Sequence, residues 1–303
     1  MSFHTPKKSL GQNFLTSIPA RMKIVEAGDI SPTDTILEIG PGKGFLTKGL
    51  LETGAHVVAL EKDRDLIPLL SETFSLELAA SQLTLIEGDV LTFDPSIYFS
   101  TSFSRHFLLK DDVPSTNLQA NKLVLGANSP SLVAHEANDY KLIANIPYYI
   151  TGAILSRYLS GVAQPSLMVV LVQKEVAERV CARDNKESLL SLSVKVYGDP
   201  KLYYRVSRGS FFPIPSVDSA VLQIKNISKK NFKHQYHEAM FFKLIHAGFA
   251  HKRKFALSNI KHVFPDVDIP SLFKEIGLSE KVRAEDVPLP VWLTISIQLT
   301  KSL

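Results

Sequence analysis

Glu38-Ile39-Gly40-Pro41-Gly42-Lys43-Gly44 closes a short apolar run, Thr35–Ile39, and precedes Phe45–Leu51, which has helical spacing. Glycines at a strand-to-helix junction let the chain turn tightly and let a ligand approach the backbone. The spacing is G-x-G-x-G. It differs from the G-x-G-x-x-G of dinucleotide sites and lacks the Gly-Lys-Ser/Thr of a Walker loop. Two acids extend the pattern. Glu61 stands 21 residues after Gly40, at the end of a second apolar run, His56–Leu60. A carboxylate there can accept both hydroxyls of a ribose. Asp89 follows a third run, Leu83–Glu87, where it can take an adenine amino group. The set has no Lys or Arg fork for a pyrophosphate, so it suits a nucleoside ligand without phosphates. S-adenosylmethionine is such a ligand.

A second group of residues suits the reacting end. Asn145-Ile146-Pro147-Tyr148 follows a fourth apolar run, Tyr140–Ala144. The exocyclic nitrogen of a base is a poor nucleophile because its lone pair is delocalised into the ring. Two acceptors on its N–H groups favour the pyramidal nitrogen of the transition state. The Asn145 amide oxygen and the carbonyl of Ile146 or Pro147 can serve as those acceptors. Pro147 stiffens the turn that carries them. Tyr148 can stack on a flipped base. No general base is needed before the proton leaves a cationic amine, so in-line positioning supplies most of the rate. Phe211-Phe212-Pro213-Ile214-Pro215-Ser216-Val217-Asp218-Ser219 reads as a rigid loop before an edge strand, and an aromatic there can cover the other face of the base.

These residues fall at the ends of successive strands. Leu167–Val172 is a fifth, continuously apolar run, as expected of a buried central strand. A further helix is expected around Asp65–Thr73. Strands alternating with helices call for a parallel sheet covered on both faces. About 40 residues from Pro95 to Ala137 break the rhythm, more than one crossover needs. The stretch reads as an insertion at about 97–137, partly disordered or carrying a small hairpin, with an apolar patch at Phe103–Leu109. After Val221–Ile224 the pattern turns helical, with helices expected at Glu238–Ala250, Phe255–His262 and Ile269–Ile276.

The formal charge of the 303 residues is +4, unevenly spread. Residues 1–228 hold 22 Lys/Arg and 23 Asp/Glu; residues 229–303 hold 12 and 7. The positive surplus in the last quarter suits a polyanion, nucleic acid most plausibly, or simply a solvated helical face. Cys181 is the single cysteine of the chain, which excludes a disulfide framework and a clustered cysteine–zinc site. The longest apolar run is too short to span a membrane. The first residues carry no export or organelle address, so a cytoplasmic location is expected.

Taken together, the chain resembles the ribosomal RNA adenine N6,N6-dimethyltransferases that act on the small-subunit RNA. The resemblance starts at Lys7-Lys8-Ser9-Leu10-Gly11-Gln12-Asn13-Phe14-Leu15 and continues through Glu38–Gly44, Glu61, Gly88-Asp89 and Asn145–Tyr148. Gln173-Lys174-Glu175-Val176-Ala177-Glu178-Arg179 and the F-x-P-x-P-x-V-D-S loop at Phe211–Ser219 complete it. It covers nearly the whole chain outside the insertion. The fold it implies is α/β: a doubly wound Rossmann-like, S-adenosylmethionine-dependent methyltransferase sheet in residues 1–228, and a small all-helical RNA-binding domain in 229–303.

The resemblance implies cofactor contacts at Asn13, Leu15, Gly40, Gly42, Glu61, Asp89 and Asn145. It implies target-adenine contacts at Asn145, Pro147, Tyr148 and Phe211. Lys252, Arg253 and Lys254 are candidate phosphate contacts, and no metal is expected. The implied reaction is transfer of four methyl groups to two adjacent adenines in a hairpin near the 3′ end of the small-subunit RNA. The implied partner is an immature 30S particle, met by a monomer. Ile146 stands where this branch often has Leu and the large-subunit methyltransferases often have Ile. A single-adenine methyltransferase of the large subunit, and a non-catalytic RNA-binding assembly or transcription factor on the same fold, are the alternatives.

Overall fold

The computed structural model describes residues 5–7, 10–99, 122–125 and 140–302. They form ten strands: β1 (Phe14–Leu15), β2 (Thr35–Ile39), β3 (His56–Glu61), β4 (Leu83–Glu87), β5 (Lys122–Leu125), β6 (Tyr140–Asn145), β7 (Leu167–Gln173), β8 (Asp199–Val206), β9 (Phe211–Phe212) and β10 (Ser219–Lys225). Eight make one sheet in the order β5-β4-β3-β2-β6-β7-β10-β8; β1 and β9 form a separate pair. The five central strands, β4-β3-β2-β6-β7, run parallel and are the five expected from the apolar runs. Antiparallel β5 and β10 flank them. The strand after the proline loop was expected at an edge. It is instead interior, because β8 pairs outside it, and all but its last residue are buried.

Consecutive strand residues are buried, Ile36 with Leu37 and Val169 with Val170. Side chains alternate between faces, so helices must cover both. These helices are α1 (Ile18–Ala27), α2 (Phe45–Leu51), α3 (Ile67–Thr73), α4 (Ser75–Ala79), α5 (Pro95–Phe99) and α6 (Thr151–Ser160). α1 packs on α2, β7 and β10. It starts at Ser17, whose hydroxyl accepts the Ala20 N–H, and it carries Pro19 in its first turn, where the missing N–H costs nothing. Ile24, Leu50, Leu70 and Val169 meet in the core on that face. α6 buries Ile154, Leu155, Tyr158 and Leu159.

The chain divides into two compact units: residues 1–177 with 201–227, and residues 178–200 with 228–303. The segment 178–200, read from sequence as part of the sheet domain, thus clusters with the helical unit. α7 (Lys174–Val180) runs across the division in sequence. The helical unit holds α8 (Leu189–Lys195), α9 (Gln235–Gly248), α10 (Ala256–Val263), α11 (Ile269–Glu275) and α12 (Leu289–Ser302). α9 is its centre, packed on α8, α10 and α12. Phe241, Leu244, Ile260, Phe273, Trp292 and Ile295 are fully buried. The expected helices correspond to α9, α10 and α11; α12 went unread in the sequence. The expected insertion at about 97–137, with Phe103–Leu109, lies outside the described residues except for 97–99 and β5.

Candidate active site

The order of the sheet decides where a ligand can sit. From β2 the chain steps outward through β3 and β4, then returns to the other side of β2 as β6. At this switch the loops after β2 and β6 diverge and leave a crevice beyond the strands' carboxyl ends. A cavity of about 700 Å³ occupies it, lined by Gly40–Gly44, Glu61, Asp89, Asn145–Ile150 and the segment Leu10–Thr16.

Gly40, Gly42 and Gly44 have φ of 66°, 60° and 80°, in the left-handed region that favours glycine. A side chain on Gly42 would meet the Phe14 ring at 2.9 Å, and one on Gly44 the Phe74 ring at 2.4 Å. The turn therefore presents bare backbone to the cavity. Glu61 braces it: Oε2 accepts the Gly42 N–H at 3.0 Å, and Oε1 accepts the Asp63 N–H at 2.8 Å. Burial pushes the Glu61 carboxyl up, and these backbone donors pull it partly back. Each oxygen keeps a lone pair, which suits the two hydroxyls of a ribose.

Asp89 lines the same cavity. Its Oδ1 accepts the Leu91 N–H at 2.9 Å, and Oδ2 pairs with Lys62 at 2.8 Å. Burial pushes its carboxyl up, but Lys62 and the Leu91 N–H outweigh that and hold it below the ordinary value. Asp89 is thus ionised and acceptor-only. Beneath the glycine turn Glu38 is 1% exposed, and among the described residues no hydrogen bond of normal geometry reaches its carboxylate oxygens. Burial pushes its carboxyl up to about 8; Thr47 lowers it only in part, and Glu61 adds to the rise.

Asn145 ends β6 and its Nδ2 donates to the Asn13 carbonyl at 3.0 Å. Only the amide nitrogen can donate there, so the amide cannot be the other way round, and Oδ1 is left as an acceptor. The Pro147 carbonyl takes the Ile150 N–H at 3.3 Å and keeps its second lone pair. Tyr148 is half-buried, and its hydroxyl is tied to Ser219 Oγ at 2.7 Å, which fixes the ring at the cavity. Asn13, Leu15, Gly40, Gly42, Glu61, Asp89, Asn145, Pro147 and Tyr148 all line this one cavity.

Phe211 does not. It is 2% exposed and lies in the hydrophobic core, whereas Phe212 is 60% exposed and lines the cavity. The reason is strand alternation. β9 pairs with β1 so that Phe212 faces Phe14 and Phe211 faces Leu15; neighbours on a strand point to opposite sides. The sequence assigned Phe211 to the adenine; in the structure Phe212, not Phe211, lines the cavity. The period of two at Phe14-Leu15 and Phe211-Phe212 was the available signal. Lys252, Arg253 and Lys254 lie in the helical unit, exposed in the turn before α10. Asn259, buried in α10, donates to the carbonyls of Gly248 and His251 at 2.8 and 3.2 Å and pins that turn. Sequence reasoning also missed Asp63, whose side chain is fully buried beside the cavity rim.

Comparison with known proteins agrees with this fold. A solved dimethyladenosine transferase from Plasmodium falciparum superposes over 95% of this chain and 98% of its own, with a TM-score of 0.70 at 22% identity, which shows the shared fold. A ribosomal RNA small subunit methyltransferase A from Dehalococcoides mccartyi is 35% identical over 98% of this chain and 89% of its own length. One from Fusobacterium nucleatum is 32% identical over 95% of this chain and 96% of its own. The family model described as ribosomal RNA adenine dimethylase matches residues 3–301. With the glycine turn, the Glu61 carboxylate and the Asn145 loop converging on one cavity, the chain belongs to the ribosomal RNA adenine dimethylase family.

Proposed function

We propose that this chain dimethylates the N6 amines of two adjacent adenines in a hairpin near the 3′ end of small-subunit ribosomal RNA, using S-adenosylmethionine. The observation that carries the reading is the Asn145 amide, locked by Asn13 with its oxygen left as the acceptor beside the glycine cradle. The cavity fits the cofactor: bare backbone at Gly40–Gly44, a braced ribose carboxylate at Glu61, and an ionised acceptor at Asp89. When bound, the cofactor supplies an electrophilic methyl group on a sulfonium. The residues do the rest. Asn145 Oδ1 and the Pro147 carbonyl take the two N–H groups of the target amine and favour a pyramidal nitrogen. Tyr148 and Phe212 hold the flipped base between their rings. No side chain need take the proton, because the product amine is acidic enough to lose it to water.

The relatives named for the small subunit favour that RNA over the large-subunit RNA. Lys252, Arg253 and Lys254 are the phosphate contacts of the helical unit. The enzyme acts as a monomer on an immature 30S particle in the cytoplasm. Among the described residues no helix is long and apolar enough to cross a membrane.

One assay tests the reading. Immature small subunits lacking the modification, and naked large-subunit RNA, are each incubated with the chain and labelled S-adenosylmethionine and digested to nucleosides. Dimethyladenosine from small-subunit RNA alone is expected. Label in large-subunit RNA overturns the substrate, in the direction Ile146 would favour. Binding of RNA without label in either overturns the enzyme reading.

A further inference from the structure

The segment before β1 closes one wall of the cavity: Leu10, Gly11, Gln12 and Asn13 all line it. Its downstream end is held by the β1–β9 pair and by Thr16, whose N–H donates to the Ser210 carbonyl at 2.8 Å. Its middle is held by the Asn13 carbonyl, which takes the Asn145 amide. Its upstream end meets Asp63, whose side chain is fully buried. Asp63 Oδ1 accepts from Lys7 Nζ at 2.5 Å, and Oδ2 accepts from Gln12 Nε2 at 2.7 Å. Gln12 Oε1 in turn accepts the Lys7 N–H at 2.7 Å. Asp63 also acts through its main chain, since its N–H orients Glu61 Oε1 at 2.8 Å.

We infer that Asp63 is a positioning residue that couples the ribose carboxylate to closure of the N-terminal segment over the cofactor cavity. One residue holds Glu61 with its backbone and Lys7 and Gln12 with its side chain, so neither can shift without the other. Charge makes the choice of residue specific. Asp63 faces the Lys7 ammonium and the Asp65 N–H at Oδ1 and the Gln12 amide N–H at Oδ2, so both oxygens must accept; in an asparagine the amide nitrogen would stand against one of these donors. The Lys7–Asp65 contact at 2.7 Å adds little, because Asp65 is 68% exposed. The inference rests on the cofactor reading above.

The test uses the full chain and S-adenosylhomocysteine, with no RNA present. Calorimetric titration is expected to show affinity falling about tenfold in Asp63→Asn, the loss of a charge-assisted hydrogen bond. Lys7→Met changes a half-exposed side chain and leaves the core intact. It should weaken binding in the same direction, and the double variant should be no weaker than Asp63→Asn alone. Trypsin supplies a second readout: the ligand should protect the bond after Lys7 in the parent chain and fail to do so in Asp63→Asn. Unchanged affinity in both single variants, or additive losses in the double, overturns the coupling while leaving the cofactor reading intact. Failure of the parent chain itself to bind S-adenosylhomocysteine overturns the cofactor reading.

Discussion

Phe211 and Phe212 are neighbours with opposite surroundings, and that difference is measurable. Phe211→Ala removes a ring from a packed core and should cost about 3–5 kcal/mol of stability. Phe212→Ala should leave stability within about 0.5 kcal/mol, as exposed positions do. It should nevertheless lower methylation about tenfold, the worth of one stacking face. Thermal melts and turnover on immature small subunits separate the two. Asn145→Ala should lower turnover about 100- to 1,000-fold, as loss of a transition-state acceptor does, with RNA affinity nearly unchanged. Equal losses in turnover and RNA affinity would make Asn145 structural.

Glu38 gives a pH signature at the same scale. Its folded value of about 8 lies above the ordinary 4.5, so the folded chain keeps a proton that the unfolded chain releases. Glu38 therefore costs nothing below about pH 4.5, and stability falls as pH rises from there to about 8, by on the order of a few kcal/mol. In Glu38→Gln that fall should be smaller. Glu61, also buried, is present in both proteins, and only its charge coupling to Glu38 is lost with the substitution. Calorimetric melts at pH 5 and pH 8 check this; parallel pH slopes would mean that Glu38 is already ionised.

At the scale of elements, two helical glycines show how packing overrides propensity. Gly248 in α9 lies against Trp292 of α12, and a Cβ there would stand 2.3 Å from the ring. Trp292 is fully buried and cannot step aside. Gly248→Ala should destabilise by about 1–3 kcal/mol. Gly152, in the first turn of α6, has nothing within 4 Å of such a Cβ. Gly152→Ala should stabilise by about 0.5–1 kcal/mol, because the better helix former meets no obstacle. Denaturant unfolding of both reads the contrast. The glycine in α9 was visible in the sequence, but the ring that forbids a methyl group there lies on a helix that the sequence pattern did not reveal.

At the scale of the whole molecule, charge is divided between parts. The last quarter carries the positive surplus, and Lys252, Arg253 and Lys254 stand exposed in a turn that buried Asn259 pins. Reversing those three charges should weaken RNA binding and reduce the slope of log affinity against log salt by about 2. Filter binding between low and moderate salt measures it; an unchanged slope would place the phosphate contacts elsewhere.

The central sheet was legible because it obeys local rules. Five apolar runs of strand length, four ending in a glycine, acid or asparagine and the fifth in Gln173, specify parallel strands and the loops that follow them. The glycine turn, Glu61, Asp89 and Asn145–Tyr148 were legible for the same reason, since each sits at a strand end. Local rules do not fix the order in which strands pair. Only the tertiary structure placed β6 beside β2 and so opened the crevice between their loops. It alone turned Phe211 inward and Phe212 outward, because the β1–β9 register joins residues almost two hundred positions apart. It alone brought Lys7 and Gln12 onto Asp63. The sequence by itself thus determined which groups stand at the strand ends; long-range pairing, driven by burial of both sheet faces, decided which of them face the same cavity.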